Sequence, residues 1–140
     1  VLVGAGQNEL ESLLTQKAAG QGRVVTPDAK PERGLAFRAD HFPFARRGVP
    51  ALLLMGMGGG HDLVNGGREA GDRWVADFTG KCYHQACDRW SESWDLRGAA
   101  QDVTLIYQMA SQLANSRAWP QWNPGNEFKA VRDSTVAQRK

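Results

Sequence analysis

The sequence predicts an α/β fold, a three-layer α/β/α sandwich in which helices cover both faces of a mostly parallel central sheet. Three features carry that expectation. Short apolar or alternating stretches recur between stretches with helical signals, the order that parallel strands joined by helices produce. The run "ALLLMGM" at 51–57 is apolar without alternation, the mark of a strand covered on both faces. From Asp95 to about Asn115, apolar residues recur at helical spacing.

In chain order, "VLVGAG" reads as the end of a strand running into a turn; without a methionine, such an opening is expected of a processed product or a piece of a longer protein. A helix follows: Asn8 is the predicted N-cap and Glu11, three residues on, completes a capping box. Leu10, Leu13, Leu14 and Ala18 fall on one face, and Gly20 stops the helix. Arg23 to Thr26 suit a short strand ended by Pro27, "KPERG" a polar turn, and "LAFR" at 35–38 another short strand. A brief helix comes next, with Asp40 at its N-cap, Pro43 in its first turn, Arg46 and Arg47 near its negative end, and Gly48 at C′. The strand at 51–57 leads into 56–81, rich in glycine and charge and without clear periodicity, which reads as a long excursion forming a lid or pocket wall. "CYH" at 82–84 suits a short extended piece. The helix from Asp95 carries Ala99, Val103, Ile106, Ala110 and Leu113 as its expected inner stripe, joined by Leu105 and Met109. The tail from 119 to 140 is broken by prolines and rich in aromatics; it is expected to pack across the body of one domain spanning 1–140.

Bulk composition narrows the function. A formal charge of +2 with dispersed basic residues gives no stripe for nucleic acid or an anionic membrane. No apolar run approaches the ~20 residues that cross a bilayer, so a soluble chain with neither nucleic acid nor membrane as partner is expected. Two cysteines, Cys82 and Cys87, bracket His84. A disulfide between them closes a very short loop and suits an exported protein; two buried thiols are the simpler alternative.

In open α/β sheets ligands gather at the carboxyl ends of the strands. Here those ends lead into Asp40, the segment Gly56 to Asp62, and His84. His84, with Tyr83 before it and Asp88 after it, has the chemistry of a zinc ligand or general base, or of a hydrogen-bonded strand end. Asp40 and His41 suit either positioning of a substrate or ligating group, or helix capping beside an exposed histidine. Cys82, His84 and Cys87 with His61 or Asp62 have the atom types for structural zinc, but the spacing C-x-H-x-x-C matches no usual site. "GMGGGHD" lacks the Lys-Ser/Thr of a phosphate loop, and no G-x-S-x-G elbow is present, so nucleotide binding and serine hydrolysis are not expected.

Taken together, "RADHFPFARRGVPALLL", "YHQACDRW", "WDLRGAAQDVTLIYQMASQLA" and "WPQWNPGNEFKAVRD" resemble the C-terminal half of the co-catalytic zinc aminopeptidases, metallopeptidase family 28, whose relatives include glutamate carboxypeptidase and glutaminyl cyclase. The resemblance implies the C-terminal portion of a zinc-exopeptidase sandwich, here incomplete. It makes His84 a zinc ligand and places Asp40 near the substrate pocket, with His41, Tyr83 and Asp88 around it; Ala39 stands where the family usually has serine. Two zinc ions, a bridging water and a base glutamate would hydrolyse the N-terminal bond of a peptide. The family's remaining ligands and its base precede the part that "VLVGAG" resembles. The chain alone is therefore expected to bind zinc weakly, to lack peptidase activity, and to self-associate or take a partner chain over its cut sheet. An exported location is favoured. The alternatives are a glutaminyl-cyclase-like acyltransferase and a non-catalytic relative kept for binding or assembly.

Overall fold

The computed structural model describes residues 1–138. Its elements run β1 (Leu2–Val3), α1 (Leu10–Gly20), α2 (Phe42–Ala45), β2 (Leu53–Leu54), α3 (Gly67–Lys81), α4 (Arg97–Ala114) and α5 (Lys129–Asp133), with single 3-10 turns at Pro31–Arg33, Leu35–Phe37, Gly56–Gly58 and Val136–Gln138. This is a small α/β arrangement. Among the described residues no helix is long and apolar enough to cross a membrane.

The sheet differs from the expected one. β1 and β2 pair antiparallel, Leu2 opposite Leu54 and Val3 opposite Leu53, and they form the whole of the one sheet among the described residues. Among the described residues the structure shows no three-layer sandwich on a parallel sheet. Parallel pairing survives as a single bridge between Leu2 and Pro27: the Leu2 N–H donates to the Thr26 carbonyl at 2.8 Å and the Asp28 N–H to the Leu2 carbonyl at 3.1 Å. Pro27 has no N–H to extend a ladder, which is why the stretch 23–26 does not become a strand. Residues 51–57 contribute two strand residues, both half-buried, rather than a strand covered on two faces.

The segment 35–38 is a 3-10 turn because Gly34, at φ +66°, closes the preceding turn and starts the next, leaving no extended backbone. The predicted helix forms, with Glu9 rather than Asn8 in the N-cap position and no capping bond from the Glu9 side chain, while Asn8 and Glu11 still bond at its start. The Glu11 carboxylate accepts the N–H groups of Gly6, Gln7 and Asn8, and the Asn8 carbonyl oxygen of the side chain accepts the Leu10 N–H at 3.1 Å. Asn8 is buried, and its side-chain amide donates to the Ala51 carbonyl at 2.9 Å, which ties the start of α1 to the strand side of the fold.

The core is the contact of α1 with α4 over β1: Leu2, Leu14, Ala18, Leu105 and Met109 are buried together, with Leu13, Val25, Leu52 and Leu54 against them. The rotation of α4 corrects the expected stripe. Leu105 and Met109 face inward, whereas Val103 is 70% and Ile106 47% exposed, with Ala99 and Ala110 also outside. Apolar residues occupy more than one face of α4, and the position of α1 decides which face is covered.

The excursion at 56–81 is a helix over most of its length. Two i,i+4 ion pairs, Glu69 with Arg73 and Asp77 with Lys81 at 2.7 Å, support α3 despite its glycines. Gly71 is buried, and a Cβ there would collide with the His61 carbonyl; the glycine that lowers helix propensity is what lets α3 close on that loop. At the far end of the chain, the tail lies on α2: Trp122 is buried, its ring meets Phe128 at 5.3 Å, and Phe128 meets Phe42 at 5.9 Å.

Candidate functional site

His84 lies three residues past Lys81, the last residue of α3. The Cys82 and Tyr83 N–H groups both donate to the Phe78 carbonyl, at 2.9 and 2.8 Å, so the helix ends in a tight turn rather than an extended piece. His84 then takes φ +59°, and it is the one non-glycine residue with positive φ among the described residues. Cys82 and Cys87 are joined by a disulfide with Cα atoms 5.3 Å apart, in place of two thiols. The loop they close displays His84 in solvent, with its ring stacked on Tyr83 at 3.9 Å. Asp88 accepts the His84 backbone N–H at 3.4 Å, which is a weak bond at that length.

An aromatic series that sequence reasoning missed supports this loop. Tyr83 lies 6.1 Å from Phe78, Phe78 is stacked on Trp74 at 5.3 Å, and Trp74 meets His61 edge to face at 5.9 Å. The i,i+4 spacing of Trp74 and Phe78 was the available signal, masked by the charge and glycine around it. His61 and His84 thus stand at opposite ends of one row of rings. The His61 Nδ1 is buried with no hydrogen-bond partner, and burial chiefly holds the imidazole below its ordinary pKa. Asp62 turns away to pair with Arg68 at 2.9 Å.

Asp40 and His41 lie on a second surface. Asp40 is exposed and does not cap α2; the N-cap position falls to His41, which makes no side-chain capping bond either. His41 is half-buried, its Nδ1 has no hydrogen-bond partner, and desolvation lowers its pKa. It lines a cavity of about 190 Å³ with Phe37, Phe42, Trp122, Phe128 and Asp28. Among the described residues no hydrogen bond, ion pair or ring contact joins Asp40 or His41 to the Tyr83, His84 and Asp88 group.

Comparison with known proteins places the chain among the metallopeptidases, a class of hydrolases. The model of peptidase family M28 matches residues 2–108, and the chain belongs to that family. The match includes Asp40, His41, Tyr83, His84 and Asp88. No curated protein and no solved structure matches the chain significantly.

The family implies zinc, so the fit of these residues to zinc is decisive. His84 has the donor and the exposure. Cys82 and Cys87 are spent in their disulfide, and among the described residues no three His, Cys, Asp or Glu side chains come together to hold a metal. The cluster of Cys82, His84 and Cys87 with His61 or Asp62 is therefore not a zinc site. A catalytic zinc needs three protein ligands, and the described residues do not supply them at one point.

Proposed function

We propose that this chain is part of the catalytic domain of a zinc-dependent exopeptidase, an aminopeptidase acting through a co-catalytic two-zinc site, and that His84 is one of its zinc ligands. The observation that carries the reading is the exposed His84 imidazole, held on a disulfide-closed turn within the span that matches the family. The other ligands and the general base are assigned to residues outside this chain, so no catalytic step is assigned to the chain itself. Its contribution is to present one imidazole with its backbone fixed, beside an open concavity of about 600 Å³ lined by Thr79, Lys81, Tyr83 and Gln85.

The Cys82–Cys87 disulfide supports an exported location, since such bonds persist in oxidising compartments. Exposed Val103, Ile106 and Tyr107 on α4 support self-association or a partner chain over that face; a concentration-independent monomeric mass by light scattering would count against it.

Zinc titration of the 140-residue chain tests the main reading. Calorimetry should show weak, non-stoichiometric zinc binding, His84→Ala should abolish that binding heat, and no N-terminal residue should be released from a peptide. Tight stoichiometric zinc, or turnover lost in His84→Ala, would overturn the assignment of the remaining ligands to residues elsewhere. An unchanged zinc response in His84→Ala would remove His84 as a ligand.

A further inference from the structure

We propose that the Cys82–Cys87 disulfide is a redox-sensitive latch: it holds His84 in its exposed, Tyr83-stacked, left-handed position, and reduction releases the histidine while the rest of the fold stays intact. The functional meaning of the latch rests on the reading of His84 as a metal ligand; its existence does not.

The loop has little else to hold it. His84, Gln85, Ala86 and Cys87 are all exposed, so burial contributes nothing to their conformation. The remaining constraints are short local bonds, Gln85 N–H to the Cys82 carbonyl at 2.8 Å, Asp88 N–H to the Gln85 carbonyl at 2.9 Å and Arg89 N–H to the Cys87 carbonyl at 2.9 Å, with the long His84 bond to Asp88 and a 3.5 Å contact of Cys87 Sγ with the Lys81 carbonyl. Against them stands a backbone conformation that L-residues seldom adopt. The two ends of the latch are unequal. Cys82 is half-buried and anchored to α3 through the Phe78 carbonyl, whereas Cys87 is exposed and leads into the exposed segment Asp88 to Trp90. Opening the bond therefore frees the Cys87 arm and with it the turn at His84. The core residues Leu2, Leu14, Ala18, Leu105 and Met109 take no part in the loop, so its release is local.

The reductant is a dithiol, small or protein-borne. One of its thiolates attacks the exposed Cys87 Sγ, the S–S bond breaks, and Cys82 leaves as a thiolate that takes a proton from solvent. The second thiolate of the reductant attacks the mixed disulfide at the reductant's own sulfur; Cys87 leaves as a thiolate and is protonated, and the reductant departs as a disulfide. Exchange with an oxidised dithiol runs the same steps backward. In a reducing compartment the chain would then hold His84 undirected, and the histidine would be set in place once the bond forms.

The test uses the intact chain with isotope-labelled histidine and leucine, followed by NMR before and after dithiothreitol, with thiol alkylation and mass measurement to establish complete reduction. In the oxidised chain the His84 ring protons should be displaced upfield by Tyr83, and Tyr83→Leu should remove that displacement with the bond intact. Reduction should remove it too, while the Leu14 and Leu105 methyl signals stay in place. The Cys82→Ser/Cys87→Ser variant should show the reduced His84 spectrum without reductant. Unmoved His84 signals in fully reduced chain would overturn the latch. So would joint collapse of the Leu14 and Leu105 signals, because the bond would then be a staple of the whole fold. If zinc titration is indifferent to His84→Ala but reduction moves His84, the metal reading falls and the latch stands.

Discussion

The indole Nε1 of Trp122 donates to the carbonyl of Gly48 at 3.1 Å, across 74 positions of sequence. That bond fastens the proline-rich tail to the end of α2. Gly48 sits at φ +79°, and a Cβ there would stand 2.6 Å from the Arg132 backbone nitrogen and 2.9 Å from its Cα. The helix stop and the docking of the tail thus share one residue. Trp122→Ala should cost about 3–5 kcal/mol, and Trp122→Phe about 1–3 kcal/mol through the orphaned carbonyl. Gly48→Ala should cost more than the roughly 1–2 kcal/mol of its left-handed backbone alone. Urea unfolding curves check all three; a neutral Gly48→Ala would mean that α5 does not pack where described.

The rotation of α4 is open to a direct comparison. Met109→Ala removes a side chain from the core and should cost about 2–5 kcal/mol, as should Leu14→Ala beside it. Val103→Ala, on the exposed face, should stay within about 0.5 kcal/mol of the parent. Equal losses at Val103 and Met109 in the isolated chain would mean that both faces of α4 are covered.

Acid sensitivity follows from two histidines. His41 and His61 are both held below the ordinary 6.5, chiefly by burial, so near that pH the unfolded chain binds more protons than the folded one. Their stabilising contribution is complete above pH 6.5 and declines as the pH falls through 6.5 toward the lowered folded values. The urea midpoint should drop between about pH 8 and about pH 5. His41→Gln with His61→Gln should flatten that dependence; a slope unchanged in the double variant would assign it to other groups.

The start of α4 depends on Asp95, whose carboxylate accepts the Arg97 backbone N–H at 3.0 Å and pairs with its guanidinium at 2.6 Å. Those bonds lower its pKa to about 2, so the carboxylate should hold the Arg97 N–H and guanidinium throughout the acidic range and release them as the pH falls through about 2. Asp95→Asn should raise amide exchange at Arg97 near neutral pH while leaving the Met109 region protected. Unchanged exchange at Arg97 would show that the pair does not order the helix start.

Local signals were legible in the sequence where they are complete within a few residues. The Asn8 and Glu11 box, the Gly48 stop and the length of α4 depend on contacts within one or two turns, and the motif blocks around Asp40 and His84 pointed to family M28. The tertiary structure decided what depends on partners distant in the chain. It set which face of α4 is covered, because α1 covers Leu105 and Met109 and leaves Val103 outside. It turned the glycine-rich stretch into α3, because ion pairs and the close approach at Gly71 outweigh weak propensity. It replaced an expected parallel sheet with one antiparallel pair, because Leu2 finds Leu54 on one side and only a proline-limited bridge on the other. His84 could be named from the sequence, but its left-handed, disulfide-closed setting could not, since that depends on Cys82 and Cys87 meeting in space.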